Sequence, residues 1–197
     1  MAKTVKHTGG TARLISKPKY IVATLNEGTE NEKNYIFDHV LKDSTKFSQA
    51  DNTTSQIENE VSDDSIKENV TLGAYQFEST IEDVQDDLLI DMCGFKKGTS
   101  GKLYAPASYT ERFAKIAVVL DNGVDGSNQP KLVAYVAPKV QLNSKLILES
   151  LSTSMAGFTL AGTAKTGAVT VTKDSQSDDI NTPLYIDYDY TLPVATS

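Results

Sequence analysis

Residues 72–95 read LGAYQFESTIEDVQDDLLIDMCGF. The hydrophobic period changes inside this stretch. Tyr75 and Phe77 alternate with Gln76 and Glu78, the period of two that marks a strand with one buried face. From Ile81 onward, Ile81, Val84, Leu88 and Met92 fall on one helical stripe with Leu89 beside it, so a helix is predicted over roughly Asp83 to Cys93. Glu82 and Asp83 lie near its start, where the helix dipole favours anions. Gly94 follows in the usual C′ position, with Lys96 and Lys97 just beyond, near the negative pole. No other segment reads as a helix, which points to a mainly β chain: an antiparallel sandwich or barrel with one flanking α-helix.

Upstream, Tyr20–Leu25 and Asn34–Phe37 read as strands. Ser55–Val61 alternates, with Ile57, Asn59 and Val61 on one face and Glu58 and Glu60 on the other. Ser62-Asp63-Asp64-Ser65 has the composition of a turn, because short Asx and Ser side chains bond back to their own backbone. The chain then returns through Val70, Leu72, Tyr75, Phe77 and Ile81, and its apolar parity switches at Gly73, implying a bulge or bend. Downstream, Lys115–Leu120 leads into Asp121-Asn122-Gly123, a hairpin signal. Leu132–Val136 follows, and Pro138 marks it as an edge or a bend. Phe158–Ala164 and Val169–Thr172 are further strands. In the last one, Leu184, Ile186, Tyr188, Tyr190 and Leu192 share a face, opposite Tyr185, Asp187, Asp189 and Thr191.

The 197 residues carry 39% hydrophobic and 23% charged residues, values of a folded chain. No apolar run approaches the ~20 residues that cross a membrane, and the N-terminus lacks the apolar stretch of a secretory signal. The expectation is a chain made and folded in a cytoplasm. Cys93 is the one cysteine, so no internal disulfide is possible, and no Cys/His pattern has zinc spacing. The net charge is −7. Between residues 51 and 91 twelve acids face Lys67 alone, a local sum of −11 that leaves +4 for the rest. The first 19 residues carry Lys3, Lys6, Arg13, Lys17 and Lys19 and no acid. A basic arm and an acidic belt on one chain invite head-to-tail contact between copies, although solvated charge on unrelated surfaces explains the same numbers.

Catalytic chemistry finds no carrier. Gly94–Lys102 has the wrong glycine spacing for a phosphate loop and follows a helix instead of a strand. Asp121–Leu132 has Gly123 and Leu132 where a calcium loop needs oxygen ligands. The pairs Glu58/Glu60 and Asp187/Asp189 could serve glycoside hydrolysis, but the chain has no Trp to line a sugar cleft. His7 and His39 lie in no nucleophile context, and Cys93 reads as a packing residue. No catalytic, cofactor-binding or metal-binding residue is assigned.

The order of these parts resembles the major tail tube proteins of long-tailed, double-stranded DNA bacteriophages. The match runs from about Val70 to Thr163. It takes in the strand Leu72–Glu78, the acidic-capped helix with its Leu88-Leu89 pair and Met92-Cys93-Gly94-Phe95. It continues through Ala117–Leu120, Tyr135–Val140, Ser150-Leu151 and Phe158–Ala164. The charge distribution marks a basic N-terminal arm (1–19), and the resemblance implies that the rest (20–197) is a single β-sandwich tube domain with a flanking helix. It implies rings, usually of six copies, stacked into a hollow conduit for DNA delivery. Assembly would occur in the host cytoplasm and the product would be the virion tail. The implied partners are copies of the chain, a terminator, a tape measure and an initiator complex, with transient non-specific DNA passage and no membrane. The family builds its lumen wall from strands before the helix, here about Ser55–Val61 and Glu68–Phe77. An acidic lumen repels DNA and lets it slide, where a basic one would hold phosphates. Glu58, Glu60, Asp63, Asp64 and Glu68 are thus candidates for the lumen or for ring-to-ring contacts, the alternative being that they face outer solvent. Lys3, Lys6, Arg13, Lys17 and Lys19 are candidates for an arm docking on a neighbour. A tube of a contractile injection or type VI secretion system, and a monomeric β-sandwich binding or adhesin module, remain as other readings.

Overall fold

A computed structural model describes residues 18–59, 62–82, 84–124, 130–147, 157–173 and 176–194, with the backbone alone for 56–59, 62–68, 130, 147, 171–173 and 176–178. The strands are β1 (Pro18–Leu25), β2 (Lys33–Phe37), β3 (Lys46–Gln49), β4 (Thr53–Asn59), β5 (Ser62–Thr71) and β6 (Tyr75–Ile81) before a short helical segment. After it come β7 (Lys96–Lys97), β8 (Leu103–Tyr104), β9 (Phe113–Val124), β10 (Pro130–Leu142), β11 (Lys145–Ile147), β12 (Gly157–Lys165), β13 (Gly167–Lys173), β14 (Gln176–Thr182) and β15 (Tyr185–Asp187). The fold is mainly β and antiparallel with one short helix, as the sequence implied.

Nine strands form one sheet in the order β2-β1-β9-β10-β12-β6-β3, with β11 on β12 and β15 on β10. Its inner face builds the main core from Ile21, Ile116, Val140, Phe158, Leu160, Phe77 and Ile81. Because β1 and β9 share this cluster with β12 and β6, the two halves of the sheet face one core. A second cluster lies on the opposite face of the β1-β9-β10 half: Val22, Ala117, Val119, Ala134 and Val136, packed by Tyr20, Tyr185, Tyr190 and Leu192. Strands covered on both faces have no polar face to show. That is why Ile21-Val22-Ala23 and Ile116–Leu120 are unbroken apolar runs, whereas β6, covered on one face, alternates.

β10 carries the bend. Ala137 pairs with Ile116 but Val140 pairs with Ala114, so Pro138 and Lys139 oppose Lys115 alone. Pro138 lacks an N–H and sits in this bulge of a central strand, which settles the choice between edge and bend. Beyond β9, β10 pairs with β12 from Lys139 to Leu142 and with β15 from Ala134 to Val136. β12 and β15 are therefore collinear along one side of β10, and the β13–β14 hairpin leaves the sheet in the gap beside Pro138.

The helix differs from expectation. It starts at Asp86, because Gln85 is still extended (φ −109, ψ 151), and after Leu88 it widens into a π-helical turn over Leu89–Cys93. Asp83 lies outside the described residues. The stripe is otherwise as read: Leu88, Leu89 and Met92 are buried in the main core. Gly94 ends the turn in the left-handed region (φ 81), where a side chain would be strained, and its N–H bonds back to the Ile90 carbonyl at 3.1 Å.

Three further readings need correction. Ser62–Ser65 belongs to β5, not to a turn. Glu58 pairs with Ser65 and Asn59 with Ser62, so Ser62 and Ser65 are ladder positions and Asp63 and Asp64 bulge between them. Asp121-Asn122-Gly123 does not close its hairpin. β9 continues to Val124, with Asn122 and Gly123 opposing Lys131 alone and the Asp121 carboxylate accepting the Gly123 N–H at 2.9 Å. Turn-forming chemistry is present at both places but makes bulges. The last strand stops at Asp187, whose carboxylate accepts the Asp189 N–H at 3.0 Å. That turn resets the alternation: Tyr185, Tyr190 and Leu192 pack inward, and Ile186 and Tyr188 stay exposed.

Candidate assembly surfaces

Three hairpins stand apart from the sheet among the described residues: the short β7–β8 and two longer ones. β4 pairs with β5, and β13 with β14, and among the described residues neither pair has another strand beside it. The first is a continuation of β3 and β6. Gln49 pairs with Tyr75 and, past a break, Thr53 pairs with Thr71. The break is built by Gly73. Its N–H bonds to Asn52 Oδ1 at 3.0 Å, while Gln49 Nε2 donates to its carbonyl at 3.3 Å. A Cβ on Gly73 would lie 1.7 Å from the Ala50 carbonyl oxygen, so only glycine lets the two chains cross this closely. Val70 on the return strand and Leu72 just past it are 59% and 73% exposed.

Most of the predicted acidic residues sit on this ribbon. Glu58 is opposite Ser65, Glu68 is opposite Gln56, and Asp63 and Asp64 occupy the bulge near the reversal. Glu60 lies outside the described residues. Five acids against Lys67 give residues 53–71 a charge of −4. Of the basic arm, Lys3, Lys6, Arg13 and Lys17 lie outside the described residues. Lys19 belongs to β1 and pairs with Asp121 at 3.1 Å. The Gly123 N–H, and then Lys19, hold the Asp121 carboxyl below its ordinary range.

The second hairpin was half legible. Val169–Thr172 has strand composition, but its partner, Gln176-Ser177-Asp178-Asp179-Ile180-Asn181-Thr182, is poor in strand formers. Its register is regular: Val169 faces Ile180 and Thr170 faces Asp179, the Thr170 hydroxyl donating to the Asp179 carboxylate at 2.8 Å. Gly167 brings the hairpin against Pro138 and Lys139 at the β10 bend.

The helical segment presents a third surface. Asp91 accepts the Tyr35 hydroxyl at 2.5 Å and Lys33 Nζ at 2.7 Å, tying the π-helical turn to edge strand β2. Burial first, and then this bond to Asp91, push the Tyr35 hydroxyl above its ordinary pKa. Lys97, on the short β7–β8 hairpin (Lys96–Tyr104), pairs with Asp86 of the helical segment at 3.2 Å. Beside the turn, Met92, Cys93, Tyr109, Arg112, Leu142 and Lys145 help to line an open cleft of about 380 Å³. Burial pushes the Cys93 thiol up to about 11. Asp187 and Asp189 serve the turn after β15, and Asp189 also meets Lys131 at 3.4 Å. His39 lies 4.0 Å from Asp38 at an exposed site. Among the described residues, no group of His, Cys, Asp and Glu could hold a metal ion, and no helix is long and apolar enough to cross a membrane.

No family model matches the chain, and no curated protein matches its sequence. Among solved structures, it is similar to a chain of the anti-feeding prophage baseplate determined by electron cryo-microscopy with six-fold symmetrisation. Identity is 11%, the TM-score is 0.36, and the match covers 90% of this chain and 96% of that one. A score this low does not establish a common fold.

Proposed function

We propose that this chain is a structural, non-catalytic subunit that assembles with copies of itself into stacked rings, forming the hollow tube of a phage tail through which DNA is delivered. The observation that carries the reading is the pair of hairpins with open edges. An unpaired strand edge is a template for another chain, and a lone two-stranded hairpin is marginal in water. Two such ribbons on one subunit are accounted for if copies pair edge to edge around a ring. The acidic composition of β4–β5 fits a wall that repels passing DNA, and it guards the edge against indiscriminate pairing before assembly. The order of motifs from Val70 to Thr163 supports the same reading independently of the hairpins.

Negative-stain electron microscopy of the purified chain, with light scattering on the same sample, tests it. Rings or hollow filaments are expected at high concentration, or on addition of preformed tube ends where growth needs an initiator. A strict monomer under both conditions would count against the subunit reading. In tubes that form, Glu58→Lys with Glu60→Lys should leave the wall intact and slow DNA ejection, and unchanged ejection would remove these residues from the lumen.

A further inference from the structure

The cleft beside the helical turn has a composition unlike the rest of this acidic chain. Its lining contains two cations, Arg112 and Lys145, and no carboxylate. Met92 and Leu142, both 2% exposed, form an apolar floor. The site is also held in shape. The Arg112 guanidinium lies over Gly94, where a Cβ would come within 2.5 Å of it, and Nη1 donates to the Thr110 carbonyl at 3.2 Å. On the rim, the Tyr109 hydroxyl donates to the Leu142 carbonyl at 3.0 Å, fixing the 105–110 loop against the end of β10. Arg112 also borders a neighbouring cleft that contains Asp91 and Glu111. Those carboxylates already accept bonds, Asp91 from Tyr35 and Lys33 and Glu111 from Gln141.

From this geometry we infer that the cleft is the receptor for the acidic end of the β4–β5 hairpin of a second copy, with Asp63 and Asp64 of that copy paired to Arg112 and Lys145. The inference rests on the self-assembly reading and deepens it by naming the two surfaces that meet. Charge complementarity is the argument. Asp63 and Asp64 are consecutive acidic residues whose backbone falls in a bulge, outside the paired positions of the ladder. The cleft offers two cations over an apolar floor that lowers the local dielectric and strengthens such pairs. A guanidinium already oriented by its neighbours loses little entropy on binding a carboxylate.

The test is a charge exchange, run at a concentration where the unmodified chain assembles. Arg112→Glu with Lys145→Glu should lower the sedimenting fraction by about tenfold or more, and Asp63→Lys with Asp64→Lys should do the same. The chain carrying all four substitutions should recover assembly, because every copy then presents the reversed pair on both surfaces. Thermal unfolding of each variant monitors the fold. Lys145→Glu alone, at an exposed position, replaces the double variant if Arg112→Glu disturbs the packing over Gly94. Normal assembly of the cleft variants overturns the inference and leaves self-assembly standing, as does failure of the four-fold variant to recover. Failure of the unmodified chain to assemble both alone and on preformed tube ends overturns both.

Discussion

The nine-stranded sheet and the β4–β5 ribbon are continuous through β3 and β6, yet they are built on opposite terms. In the sheet, Phe77, Ile81, Phe158 and Leu160 are at most 2% exposed and share one cluster. In the ribbon, Val70, and Leu72 just past it, face water, and among the described residues the two strands pair with no third strand. Gly73 separates the two regimes by letting the crossing chains touch. The sheet closes its own core within one chain. Among the described residues the ribbon contributes nothing to either core cluster. A chain divided this way can fold alone and still keep open edges for the assembly proposed above.

Substitutions that separate the two regions test the contrast. The largest effect should come from the sheet: Phe158→Ala leaves a cavity where the residue is 0% exposed, and should cost about 3–5 kcal/mol in urea unfolding. A cost under ~1 kcal/mol would show that the core is far looser than its burial implies. An intermediate effect is expected on the outer cluster. Burial raises the Tyr190 hydroxyl to about 12, so the folded state holds this proton more tightly than the unfolded one. The resulting stability is present below the ordinary tyrosine value of about 10 and is lost as pH rises from there through about 12. Tyr190→Phe should flatten that alkaline loss, and an unchanged pH profile would show that the C-terminal segment does not stay packed on β1, β9 and β10. The smallest effect belongs to a hairpin. Ile180→Ala, at a 49% exposed position, should change monomer stability by about 0.5 kcal/mol or less while reducing assembly. A large loss of monomer stability would show that β13–β14 is part of the body.

Much of the fold was legible because burial leaves a period. β6 alternates because one face is covered, and the Leu88-Leu89-Met92 stripe with Gly94 behind it marked a helical segment and its end. Turns were less legible. Ser62–Ser65 and Asp121–Gly123 carry turn chemistry, but an Asx side chain closing on a nearby N–H satisfies a bulge as well as a reversal, and only the partner strand decides between them. The strand Gln176–Thr182 left no signal, since its order comes from the ladder with β13 and not from its own side chains. The final strand misled for the opposite reason: a perfect alternation from Leu184 to Leu192 was broken by one Asp187 hydrogen bond. At the candidate surfaces, composition showed the acidic stretch and the basic start of the chain. It could not show the cleft, whose lining comes from the helical turn, the 105–112 loop and the ends of β10 and β11.

Sequence by itself determined the class of this protein: mainly antiparallel β with one helical segment, acidic in its middle. These follow from period, composition and charge, which are local properties. Tertiary structure alone decided which strand edges stay unpaired among the described residues, that β12 and β15 share one side of β10, and that Arg112, Lys145, Met92 and Leu142 line one cleft. Those are facts about residues distant in the chain, and their proximity is set by how the sheet bends at Pro138 and closes on its core.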